Sequence, residues 1–212
     1  ALLARNGFRG PEVLEGKYTV FDAFSGEVHI GELLDGLGSR FEVMNITFKR
    51  YSSCAFTHPS LDALLKIMDI RGLRAKEIEG ITVRFPASGA KLIDRSMLRS
   101  HNIQYVLSVA AHRGQVMFDD ILFEQRGGGI PELAERVELI YDEGLDHYFP
   151  ETMPTIVEVT TRNGRVFTES EDSAKGTPEN PMSPVEVRDK YYRLAGTVLD
   201  EEDAKEIENA VD

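Results

Sequence analysis

The chain has 212 residues, 42% of them apolar, and a formal charge of −12 from 24 Lys and Arg against 36 Asp and Glu. That length and apolar content suit one sizeable globular domain, or one and a half small ones. The acidic balance argues against a nucleic-acid partner, and no run approaches the ~18 apolar residues that span a bilayer.

The lone cysteine, Cys54, leaves no internal disulfide and suits a reducing, cytoplasmic setting. No signal peptide is visible. No Cys/His cluster has zinc-like spacing, and Asp119-Asp120 has nothing nearby to complete a divalent site. Neither a metal nor a cofactor is expected.

In chain order, Ala1 to Gly7 reads as the last turns of a helix closed by Gly7. A chain that opens on a helix end, without Met, points to a truncated or processed product. Pro11 to Leu14, Val20 to Phe24 and Ile30 to Leu34 are candidate short helices between glycines. Phe41 to Phe48 alternates apolar and polar residues, predicting a first strand over about 40–48. A helix over about 59–69 follows, with Leu61, Leu64, Leu65 and Met68 on one face and Gly72 at its end.

Glu77 to Phe85 predicts a second strand, which would make a right-handed crossover with the first if the two are parallel. Pro86 to Gly89 reads as a turn, and Asn102 to His112 as a helix closed by Gly114. Phe118 to Phe123 could start a short helix, and Gly127-Gly128-Gly129 is a break lacking the Lys-Ser/Thr of a phosphate loop. Pro131 to Glu135 is a further short helix and Val137 to Tyr141 a third strand. Thr155 to Arg162 and Arg165 to Ser170 are strands joined by Asn163-Gly164, a two-residue hairpin signal. Ser183-Pro184-Val185-Glu186 opens a helix as a capping box with proline at N1, and Asp200 caps a last one. The expected class is α+β, with a mixed or antiparallel sheet of about five strands and flanking helices. Three segments are expected: a helical lead-in at 1–38, an α+β domain at 39–175, and C-terminal helices at 176–212.

The densest chemistry lies at Lys49 to Ser60, where the first predicted strand meets the helix. Two cations, a tyrosine, three serines, the cysteine and His58 sit there, with Thr57 or His58 before Pro59 as the helix cap. Helix N-termini attract anions, and clustered cations could hold an anion despite the net charge. The alternative is an exposed loop with a solvated Lys-Arg pair and a capping histidine.

The pattern Lys-x-Tyr-x-Ser-Cys-x-x-Thr-His-Pro-x-x-Asp-Ala across 49–63 resembles the signature of the MmgE/PrpD family. Ala1 to Pro11, Leu14-Glu15-Gly16, Ser100 to Val106, Val109-Ala110, Gly114, Asn180 to Ser183 and Lys190-Tyr191 resemble further family blocks, in order. The resemblance implies the C-terminal portion of a lyase that dehydrates a small hydroxy-tricarboxylate such as 2-methylcitrate, without metal. It also implies an upstream all-helical domain, absent from these 212 residues, against which segments 1–38 and 183–212 would pack, and a homodimer. Cis-aconitate decarboxylation and dicarboxylate epimerisation are in-family alternatives; a non-catalytic module binding a small anion or a protein partner is the reading from another class.

By this resemblance Lys49 is a carboxylate anchor or proton donor, and His58 an acid or base. Cys54 lies where some members place a pocket histidine, against a plain packing role. Tyr51 would orient substrate or belong to the core. Arg95 would bind a carboxylate, or make a surface ion pair. His101 is a further acid, base or ligand, against a polar residue at a helix start. His29, His112 and His147 carry no motif. Ser52 stands where proline is common in the motif, and the helical domain is expected to supply the remaining site residues.

Overall fold

A computed structural model describes residues 2–10, 13–122 and 132–211. The chain divides into two compact units, Ala1–Met44 and Asn45–Asp212.

The first unit holds short helices α1 (Leu2–Arg5) and α2 (Val20–Phe24) and 3-10 turns at Ile30–Leu33 and Glu42–Asn45. Gly7 closes α1 at φ 84. Thr19 and Asp22 cap α2 reciprocally, with Thr19 N donating to Asp22 Oδ2 at 2.7 Å. None of this unit's described residues is buried. The strand expected over 40–48 does not form: Glu42–Asn45 is a 3-10 turn. Phe41, Val43, Ile46 and Phe48 are all exposed. An alternating pattern makes a strand only where a neighbour strand and a core receive it, and among the described residues these have neither. Val13 and Leu14 lie in a bend, not a helix; residues 11 and 12 lie outside the described residues.

Among the described residues the second unit is built on a four-stranded sheet, one strand fewer than expected, in the order β2-β1-β3-β4. Helix α3 (His58–Arg71) leads into β1 (Ile78–Pro86). The chain continues through α4 (Ala87–Ile93), α5 (Ile103–Arg113) and α6 (Phe118–Ile121) to β2 (Val137–Asp142). Strands β1 and β2 are parallel; β3 (Thr155–Thr161) pairs antiparallel with β1 and with β4 (Val166–Glu171). Two helices end the chain, α7 (Pro184–Ala195) and α8 (Glu201–Val211).

The core follows from period and register. Ile81, Val83 and Phe85 of β1 are buried on one face, and Val83 and Ile81 lie opposite Val157 and Val159 of β3. Leu61, Leu64 and Ile67 of α3 and Ile103, Val106, Leu107 and Ala110 of α5 join the same core, the i, i+3, i+4 faces that the sequence shows. Alternate residues such as Arg84 and Glu158 are exposed, as in a sheet with one solvated face.

Glycines stop α3 and α5 in the left-handed region, Gly72 at φ 62 and Gly114 at φ 72. Asn163-Gly164 turns β3 into β4 with Gly164 at φ 80. Pro86 to Gly89 is not a plain turn: Pro86 ends β1 and α4 starts at Ala87. Glu132–Arg136 is a 3-10 turn; Phe123, Gly127 to Gly129 and Pro131 lie outside the described residues. Among the described residues no helix is long and apolar enough to cross a membrane.

Candidate functional site

The segment from Lys49 to His58 is irregular, and side-chain and long-range backbone bonds hold it. Ser52 N donates to Val116 O at 3.1 Å and Cys54 N to Ser100 O at 2.8 Å, anchoring it beside the two ends of α5. Ser53 Oγ and Thr57 Oγ1 share a hydrogen at 2.9 Å, and Thr57 Oγ1 donates to Cys54 O at 2.8 Å. These bonds wind Ala55–Thr57 into a 3-10 turn from which α3 departs at His58. Thr57 occupies the cap position, but its hydroxyl serves the turn, not the helix. Ser60, with Oγ 3.0 Å from Thr155 Oγ1, seats the start of α3 on β3.

Tyr51 and His58 are buried behind this surface, and their rings meet edge to face with centroids 5.3 Å apart. The Tyr51 hydroxyl donates to Asp62 Oδ1 at 2.7 Å. Burial, reinforced by Asp62, pushes the phenol far above its usual range. Asp62 also accepts from Lys175 N at 2.7 Å and from Arg50 Nη1 at 3.4 Å. Its carboxyl is raised by burial, against the pull of those donors. Tyr51 is therefore committed to the protein and stands behind the site as support.

His58 is 1% exposed, and its Nε2 has no hydrogen-bond partner among the described residues. Burial lowers its proton affinity to a pKa of about 4; the charges of Lys49 and Lys190 push the same way, and the Ser53 and Tyr51 main chain pulls back. At neutral pH it is a neutral imidazole. A buried unpartnered nitrogen normally costs about 1–3 kcal/mol, so its persistence beside two cations marks this corner.

Lys49 is exposed, and its ammonium donates to Ser53 O at 3.4 Å. Lys190 of α7 donates to the Lys49 carbonyl. Burial first, then the Lys49 charge, depresses the Lys190 ammonium below its ordinary range. Neither lysine is paired with a carboxylate among the described residues. Two hollows flank the corner. A groove of 930 Å³ is lined by Arg50, Tyr51, Asp62, Lys66 and Lys175 among others; a small one of 80 Å³ has Arg50, Ser52, Lys190 and Arg193 in its wall. Neither takes Lys49 or His58 into its lining.

Lys49, Tyr51, Cys54 and His58 thus come together. The half-buried Cys54 packs against the core and carries the main-chain bond to Ser100. His101 is one residue further on, its Nδ1 2.9 Å from Ser100 Oγ. Arg95 stands elsewhere, in the wall of a separate 550 Å³ cavity with Arg99, Asn102 and Gln104. Its φ of 46 is unusual for a side-chain-bearing residue, and its N–H is held by Gln104 Oε1 at 2.9 Å. Asp62 and Lys190 are the residues that sequence reasoning passed over. Asp62 had a signal, since it lies one helical turn after His58. Lys190, 141 residues from Lys49, had only its place in a resembling block. Among the described residues no three His, Cys, Asp or Glu side chains converge as a metal site.

Residues 51–212 match the MmgE/PrpD C-terminal domain, so the match begins inside this corner. Two cis-aconitate decarboxylases of Aspergillus terreus, the second from strain NIH 2624 / FGSC A1156, are similar to the chain, at 27% and 26% identity over 199 residues. Each alignment covers 85% of this chain and 40% of the relative. The chain therefore spans about two fifths of the length of these relatives.

Proposed function

The chain belongs to the MmgE/PrpD family, and from that premise we propose that it is the C-terminal part of a lyase acting on a small tricarboxylic acid, with the Lys49–His58 corner as its half of the site. The observation that carries this is a chemical imbalance. In a protein of charge −12, two ammonium groups without carboxylate partners among the described residues stand beside a buried imidazole whose Nε2 has no hydrogen bond. A carboxylate-bearing ligand supplies what all three lack.

Lys49 anchors a carboxylate and stabilises the negative charge that develops next to it. His58, neutral at working pH, takes or returns the proton on carbon. In a dehydration the base removes a proton next to a carboxylate, and hydroxide departs from the neighbouring carbon, leaving as water once protonated. In a decarboxylation the bond to one carboxylate breaks, its electron pair stays on carbon, and a proton is delivered there. The motif resemblance favours dehydration of a 2-methylcitrate-like acid. The similarity to two cis-aconitate decarboxylases favours decarboxylation of a cis-aconitate-like one. Either uses the same anchor and the same proton carrier.

The test is to incubate the protein in its whole natural length with each acid and follow the mixture by proton NMR and carbon dioxide release. Loss of water from the hydroxy acid, or of carbon dioxide from the unsaturated one, is the expected result. Inversion of configuration without loss of mass would move the assignment to an epimerase. Saturable binding with no turnover of either acid would leave a non-catalytic anion module.

A further inference from the structure

Helix α7 carries carboxylates where a lysine at position 190 could use them, and both are occupied elsewhere. Glu186, one turn earlier, accepts from Ser183 N at 2.8 Å and faces Lys175 Nζ at 3.5 Å. Asp189 pairs with Arg193 at 2.6 Å, and Arg193 also donates to Gln115. Lys190 is half-buried and directs its ammonium to the Lys49 main-chain carbonyl. Bringing two like charges together while desolvating one of them is unfavourable unless an anion joins them. An ammonium has three donors, and this contact uses one.

We propose that Lys190 is a positioning residue of the site: by holding the Lys49 carbonyl it fixes the segment that presents the Lys49 ammonium and the His58 ring, and it adds the second positive charge that the bound carboxylate needs. The inference rests on the lyase reading above and assigns α7, 141 positions away in the chain, to the same site. The groups acting on His58 are Lys49 and Lys190, with the main chain of Ser53 and Tyr51; the charged neighbours around Lys190 are Arg50, Glu186, Asp189 and Arg193.

The test compares Lys190→Met and Lys190→Arg in the whole natural protein. The Met variant removes donor and charge; the Arg variant keeps both. Met is expected to lower kcat/KM at least about 10-fold with the melting temperature unchanged, and Arg to restore most of it. His58, followed by NMR of histidine-labelled protein, is expected to titrate at higher pH in the Met variant and near the wild-type value in the Arg variant, because one of the charges holding it down is gone. Wild-type kcat/KM together with an unmoved His58 titration in Lys190→Met would overturn the proposal. An inactive wild-type protein would sink the lyase reading alone, since the histidine titration needs no turnover.

Discussion

His58 couples stability to pH in a direction the structure fixes. Its affinity for a proton falls from the ordinary 6.5 to about 4 on folding. The unfolded chain therefore takes up a proton between these values while the native chain does not. The contribution is complete above about pH 6.5 and lost as pH falls towards 4, and it amounts to roughly 3 kcal/mol. Denaturant titrations are expected to show wild type losing roughly 3 kcal/mol relative to His58→Gln, which does not titrate, as pH falls from about 6.5 to 4; parallel curves would mean that the ring is not the titrating group. Glutamine is the better replacement, because alanine at this buried position would also leave a cavity. The grouping of Lys49, Tyr51, Cys54 and His58 was legible in the sequence because all four lie within ten consecutive residues. Tyr51's bond to Asp62 was not, since it depends on how α3 turns against the segment before it. The contact of Lys190 with Lys49 was not either, because no local pattern reports a contact across most of the chain.

Among the elements, α3 is the one on which the site depends. Its apolar face fixes its rotation over β3 and β4, and Asp62 ties it to residues 50 and 51 and to the main chain at 175. Asp62→Ala strands the Tyr51 hydroxyl and the Lys175 N–H, and is expected to destabilise by about 2–4 kcal/mol. Leu64→Ala, on the same helix but wholly within the core, is expected to cost about 2–5 kcal/mol. Chemical denaturation checks both. Asp62→Ala should also weaken binding of a tricarboxylate, which Leu64→Ala should not. Elements with their own punctuation were legible: the Asn163-Gly164 hairpin, the Ser183 capping box and the glycine stops at 72 and 114. The strand expected at 40–48 was not, because alternation records a preference for a two-faced environment and says nothing about whether a partner strand exists. The start of α4 directly after Pro86 was hidden because Ala87, Ser88 and Gly89 suit a turn as well as a first helical turn.

At the scale of the whole molecule, the α+β class with a mixed sheet was legible from the run of periods, and the family from blocks spread along the chain. In the first 44 residues large apolar side chains stand exposed, Phe24 at 88% and Leu37 at 78% among them. We expect further helical residues of the same protein to cover them, as the resemblance implies. On that expectation the 212 residues alone turn over far more slowly than the whole natural protein; equal rates would remove the need for such a portion. The corner's cationic donors repel a metal ion, so activity is expected to survive a chelator, and inhibition relieved by added metal would contradict this. The most direct measurement is the turnover of the whole natural protein, wild type against Lys49→Ala, on the tricarboxylate that proves to be its substrate. A fall of about 100-fold or more with an unchanged melting temperature is the expected result, and a rate equal to wild type would contradict the account.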